Sequence, residues 1–160
     1  MMSGKIPADG RASRTKTTFR MEYAVAINIQ AQPNRIWALL TTAGDFPRWN
    51  STVKSIEGNI ALGERIKLRA TIAPERVFNL TASEFVPEKK MVWRDGMAPM
   101  FTGVRTFTLT PKADGSTDFS MAEVYSGIML PMIAGSLPDF RPTFEQYASD
   151  LRREAQQTNR

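Results

Sequence analysis

Between residues 52 and 126 the chain repeats one pattern. Runs that alternate apolar and polar residues are separated by short turn clusters: TVKSIEGN (52–59), RIKLRATI (65–72), VFNLTASEFV (77–86), KMVWRD (90–95), GVRTFTLT (103–110) and STDFSMAEVYS (116–126). Period-two alternation buries one face of a strand, and turn-length spacers pair each strand with the next, so six strands in an antiparallel meander are expected. EYAVAINIQA (22–31) adds an earlier strand. After residue 135 glycine disappears, and Phe144, Tyr147, Ala148 and Leu151 recur at helical spacing, opposite Glu145, Arg152, Arg153 and Glu154. That is one long amphipathic helix. Its approach from Leu130 is interrupted by Pro131, Pro138 and Pro142.

Between the first strand and the meander the pattern is helical. Pro33 suits a first turn, and Ile36, Trp37, Leu39 and Leu40 form an apolar stripe. Gly44 ends that helix, and Asp45 is placed to cap a short second one, FPRW. Phe46 and Trp49 then fall on one side of a single turn.

A length of 160 residues fits a single domain. The expected division is a basic mobile leader over 1–20, a domain over 21–157 and a short tail over 158–160. Charge supports it. The net charge is +5, yet residues 1–20 hold five basic groups and one acid, and the remainder holds sixteen basic and fifteen acidic groups. The nearly neutral body argues against nucleic acid as a partner, since a phosphate-binding face needs concentrated positive charge. The leader offers at most a weak contact with an anionic surface. No run of eighteen apolar residues is present, so stable membrane insertion is not expected, and the N-terminus lacks a secretory apolar segment. A cytoplasmic location is the resulting expectation.

The chain has no histidine and no cysteine. That removes disulfides, thiolate chemistry, the usual zinc sites and every nucleophile that relies on a histidine base. No P-loop or dinucleotide fingerprint occurs, and neither cofactor nor metal is expected. Carboxylate chemistry remains open at Glu123, Glu84 and Asp95, because burial can raise a carboxyl pKa into a useful range.

Several segments together resemble the START-like (SRPBCC) superfamily, whose members include birch-pollen-allergen-like, polyketide cyclase/dehydrase-type and Hsp90-ATPase-activator-like proteins. QAQPNRIWALLTT resembles that family's "P…VW..LT", and DFPRWNSTV its "D…FP.WNP.V", with Ser51 in place of the second proline. VPEKKMVWR is similar to "P…L.WR", and RTFTLTPKADGSTDFSMAEVYSG to the closing hairpin "F.L.P…G.T…..E.Y.G". The resemblance spans about residues 22–157. It implies an α+β helix-grip fold: a curved antiparallel sheet of about seven strands wrapped around the C-terminal helix, with two short helices between strands one and two. It also implies a cavity between sheet and helix.

If the KADG turn closes a simple hairpin, Leu109 faces Phe119, Phe107 faces Met121 and Arg105 faces Glu123. All six share one face, and four are large and apolar, so that face points inward. Arg105–Glu123 becomes a cross-strand ion pair on the concave side, either structural or an anchor for a ligand's polar group. Trp93 and Asp95 are expected to point the same way. The parity of 77–86 is ambiguous. The expected ligand-binding residues are Trp93, Arg105, Phe107, Met121, Glu123, Phe46, Trp49 and Met129, with Glu123, Arg105 and Asp95 as catalytic candidates beside Tyr125. Methionines at 91, 97, 100, 121, 129 and 132 gather near the same region, and methionine suits an adaptable apolar surface. The apolar segments 97–101 and 128–133 are placed to gate an entrance or meet a second subunit in a homodimer.

Three functions follow. The first is binding of a hydrophobic small molecule or lipid. The second is a cyclase, dehydratase or aldol-type enzyme using the polar cavity residues. The third is an interaction module of the Hsp90-ATPase-activator-like kind.

Overall fold

A computed structural model describes residues 6–157. The first five residues of the expected leader, and the tail over 158–160, lie outside the described residues. Eight strands form one antiparallel sheet: β1 (Ser13–Lys16), β2 (Arg20–Ile29), β3 (Val53–Glu57), β4 (Arg65–Ala70), β5 (Ala73–Val86), β6 (Lys90–Met97), β7 (Phe101–Pro111) and β8 (Thr117–Ser126). Their order is β1-β2-β8-β7-β6-β5-β4-β3. Helices α1 (Pro33–Thr41) and α2 (Phe46–Trp49) carry the chain from β2 across to the far edge, where β3 begins. After β8 come the one-turn helix α3 (Leu130–Ile133) and the long α4 (Arg141–Gln156).

The eighth strand corrects the expected seven. It comes from the segment read as a mobile leader, where Ser13–Lys16 pairs with Met21–Ala24. SRTK has no apolar alternation because all four side chains are exposed. Main-chain N–H groups hold this edge: Gly10 N–H donates to Ala26 O at 2.7 Å, and Ala12 N–H to the Glu145 side-chain Oε2 at 2.9 Å. Such an edge leaves no mark in side-chain pattern.

The ambiguity of 77–86 has a geometric origin. A bulge between Ala82 and Glu84 breaks the β5–β6 register, and an extra residue reverses which side chains face inward. Phe78, Leu80 and Ala82 turn toward the core before it, and Phe85 after it.

Helix α4 lays Phe144, Tyr147, Ala148, Leu151 and Ala155 into the core. Its last carbonyls are capped from α1, where the Arg35 guanidinium donates to Glu154 O, Ala155 O and Gln157 O at 2.8–3.1 Å. A cation at a helix C-terminus satisfies orphan carbonyls and complements the dipole.

The DFPRWNS segment is pinned to α4 by a buried carboxylate. Asp150 accepts from Ser51 N–H at 2.8 Å, Ser51 Oγ–H at 2.6 Å, Gln146 Nε2 at 2.8 Å and Arg153 at 3.0 Å. A proline at 51 has neither donor, so this serine is half of a tether. Asp45 does not cap α2 as expected; its carboxylate instead takes a two-pronged bond from Arg48 at 2.7 and 2.8 Å. Phe46 and Trp49 are buried with ring centroids 5.0 Å apart, and Trp49 meets Tyr147 edge-on at 6.1 Å.

Candidate ligand-binding site

The strand registers arrange the concave face as a grid. One row runs Asp95–Gly103–Tyr125–Met21 across β6, β7, β8 and β2. The next is Trp93–Arg105–Glu123–Tyr23, and the third Met91–Phe107–Met121–Val25. Along the strands the surface therefore passes from polar at one end to wholly apolar. The expected pairings of Arg105 with Glu123, Phe107 with Met121 and Leu109 with Phe119 are all present.

Arg105 Nε donates to Glu123 Oε1 at 2.6 Å. Their side chains are 20 % and 10 % exposed, so the pair is largely withdrawn from water. The guanidinium carbon lies 5.2 Å over the Phe144 ring, which places a cation–π contact on the side facing α4. Burial acts to lower the Arg105 pKa, but the Glu123 charge overcomes it and holds the value above the ordinary one.

Asp95 sits opposite Gly103 in the ladder. A Cβ at 103 would stand 2.7 Å from Asp95 Oδ1 and 3.2 Å from Glu123 Oε2. The missing side chain is thus what lets two carboxylates lean over the same backbone position. Burial, then the Glu123 charge, push the Asp95 carboxyl up, against a backbone bond from Gly103. Burial likewise raises Tyr125, with Glu123 adding to it, and raises Tyr147. Both phenols stay neutral donors. The arrangement offers one fixed ion pair, one acid that retains its proton more readily than usual, and two phenols, all against aromatic walls.

Trp93 Nε1–H and Tyr147 OH are buried and find no hydrogen-bond partner among the described residues. Their rings flank Phe107, at 4.7 and 6.3 Å. A buried donor without an acceptor is costly. Trp49 Nε1 and Asn50 Nδ2 are unpartnered in the same way, beside the α2 end of the core.

A concavity of about 300 Å³ opens at the edge of this grid. Pairing of β5 with β6 reaches only to Thr81–Arg94. Beyond that the β5–β6 pairing ends, and the concavity is lined by Arg65, Asn79, Thr81, Ser83 and Arg94, whose side chains alternate away from the core, together with Leu80, Asp95 and Gly96. Asp95 is the grid's polar residue that reaches this opening.

The other sequence candidates are dispersed. Phe46 and Trp49 belong to the packed core on α2, and Met129 is half-buried at the rim, its N–H bonded to Met100 O at 3.0 Å. Glu84 is exposed and pairs with Lys90 at 3.2 Å, which places it outside the site. Met91 and Met121 are interior, whereas Met97, Met100 and Met132 are exposed. Sequence reasoning did not place Gly103, Tyr23, Phe144 or Tyr147 in the site. The two aromatics of α4 were visible only as a core stripe, and Gly103 carried no signal of its own.

Solved structures of the same fold include a START superfamily protein from Mycobacterium smegmatis (TM-score 0.63, 16% identity, covering 84% of this chain and 96% of that one). A protein from Rhodobacter sphaeroides matches with TM-score 0.65 and 19% identity, covering 89% of this chain and 96% of the other. A hypothetical protein from Helicobacter pylori matches with TM-score 0.67 and 12% identity, covering 88% and 89%. At such identities these likenesses speak for fold alone. Among curated proteins none matches the sequence. The sequence profile of one family, described as polyketide cyclase / dehydrase and lipid transport, matches residues 15–155, and with the START-like architecture around it the chain belongs to that family.

Proposed function

We propose that the protein holds a hydrophobic small molecule between the sheet and α4, oriented by a polar group at the Arg105–Glu123–Asp95 end. The observation that carries this reading is the pair of unpartnered donors, Trp93 Nε1–H and Tyr147 OH, on the interior surface next to a buried ion pair. Apolar walls with a few convergent polar groups are the usual composition of a small-molecule site. A ligand with an oxygen acceptor on an apolar body offers Trp93 Nε1–H the partner it lacks while its body lies against Phe107 and Met121. The concavity beside β5 and β6 is the proposed entrance, with Asp95 among its lining residues.

Native mass spectrometry of freshly purified protein, before and after denaturation, tests this. The expected result is an adduct that is lost on denaturation and depleted in Arg105→Met. A bare protein mass that also takes up no naphthol or medium-chain fatty acid would contradict it.

A second reading, a cyclase or dehydratase acting by acid–base catalysis, is favoured by one observation: the Asp95 and Glu123 carboxylates converge over Gly103, where burial and the Glu123 charge push the Asp95 carboxyl up. In that reading Asp95 donates a proton to a ligand carbonyl and Glu123 accepts one. Turnover of a β-keto substrate that disappears in Asp95→Asn, with binding kept, is its expected signature. Turnover unchanged in that variant would rule it out.

A further inference from the structure

Three turns meet at one end of the molecule. The β1–β2 turn, the β6–β7 turn and the segment after β8 are joined by main-chain bonds: Gly127 N–H to Phe19 O at 3.1 Å, Ile128 N–H to Pro99 O at 3.0 Å and Met129 N–H to Met100 O at 3.0 Å. Gly127 makes this approach possible, since a Cβ there would collide with the carbonyl of Met100 and lie 2.9 Å from Phe101 Cα. On these turns the large apolar side chains face outward. Phe19 is 55 %, Met97 74 %, Met100 43 %, Ile128 59 % and Met132 79 % exposed. Single exposed hydrophobics are ordinary, but a cluster of them marks a contact surface.

The charges beside the cluster are basic. Phe19 is set between Lys16 and Arg20 on one turn, with Arg14 on the adjoining strand. The nearby carboxylates are already engaged, Glu22 by Arg20 at 2.9 Å and Asp139 by Arg141 at 2.8 Å. No helix among the described residues is long and apolar enough to cross a membrane. Apolar turn tips with cations at their flanks suit shallow, peripheral contact, in which the tips enter the acyl boundary and the cations meet headgroups.

We propose that this end of the molecule docks on an anionic lipid surface, with Met97, Met132 and Phe19 as its apolar contacts and Lys16 and Arg14 as its cationic rim. The proposal does not depend on what the interior binds. Flotation with phosphatidylcholine vesicles, with and without phosphatidylglycerol, tests it on the full chain. The expected result is retention on the anionic vesicles, released by salt, with Met97→Ser/Met132→Ser binding about tenfold more weakly. Leu62→Ser removes an exposed apolar residue elsewhere and is expected to bind as the parent does. No retention, equal retention on neutral vesicles, or full retention of the double variant would overturn the proposal. So would a dimer in light scattering that the same double variant dissociates, because the face would then belong to a second copy.

Discussion

Asp95 lies directly across the β6–β7 ladder from Gly103, and the space that glycine leaves is where the Asp95 and Glu123 carboxylates converge. Gly103→Ala puts a methyl 2.7 Å from Asp95 Oδ1, 3.2 Å from Glu123 Oε2 and 3.5 Å from a Tyr125 ring carbon, so these packed side chains must shift to admit it. The expected outcome is destabilisation by about 1–3 kcal/mol, the usual cost of overpacking, read from chemical denaturation. Loss of the ligand adduct is expected in the same variant.

The Arg105–Glu123 pair separates binding from stability. Glu123→Gln leaves a guanidinium buried without its counter-charge, and is expected to destabilise by about 2–3 kcal/mol, somewhat less than for a fully buried pair. Replacing both partners, Arg105→Met with Glu123→Leu, is expected to recover to within about 1 kcal/mol of the parent. The double variant should nevertheless fail to hold ligand. Denaturation curves and adduct masses on the three proteins check both halves.

Asp95 has a folded pKa above its ordinary value of 3.8. A raised carboxyl favours the folded state while protonated, and that advantage is lost as the pH rises through the unfolded and then the folded value. Asp95→Asn keeps an acceptor for Gly103 N–H and removes the charge. It is therefore expected to melt above the parent at neutral pH, with the gap closing below about pH 4. Melting temperature against pH for both proteins measures it.

Asp150 has the opposite sign. Burial alone would raise it, but the bonds from Ser51, Gln146 and Arg153 hold its pKa below 3.8. Its contribution is complete above that value and drains away as the pH falls through the folded pKa. Asp150→Asn should thus flatten the acid limb of the stability curve. Ser51→Ala, which removes one bond to the carboxylate, should cost about 1 kcal/mol at neutral pH. Acid titrations followed by circular dichroism give both results.

What could be read in the sequence was whatever depends on local period. Alternation located seven strands, and the KADG turn set the β7–β8 register that brings Arg105 to Glu123. Features held by main-chain bonding were not legible: β1 exposes all four of its side chains, and the bulge after Ala82 inverts parity without changing composition. Contacts between distant segments were equally hidden. Nothing local marks Gly103 as the floor beneath two carboxylates, Ser51 as the donor to Asp150, or Tyr147 as a lining residue.

The three tryptophans, Trp37, Trp49 and Trp93, give three indole N–H resonances in a proton–nitrogen NMR spectrum. Titration with a naphthol is the decisive experiment, because the proposed ligand's acceptor meets one of them. The expected result is a large downfield shift of the Trp93 indole N–H, a small change at Trp49 and none at Trp37, with the Trp93 shift abolished in Arg105→Met/Glu123→Leu. A Trp93 resonance that does not move at saturating probe, or that moves equally in the double variant, would contradict a ligand held at this end of the interior.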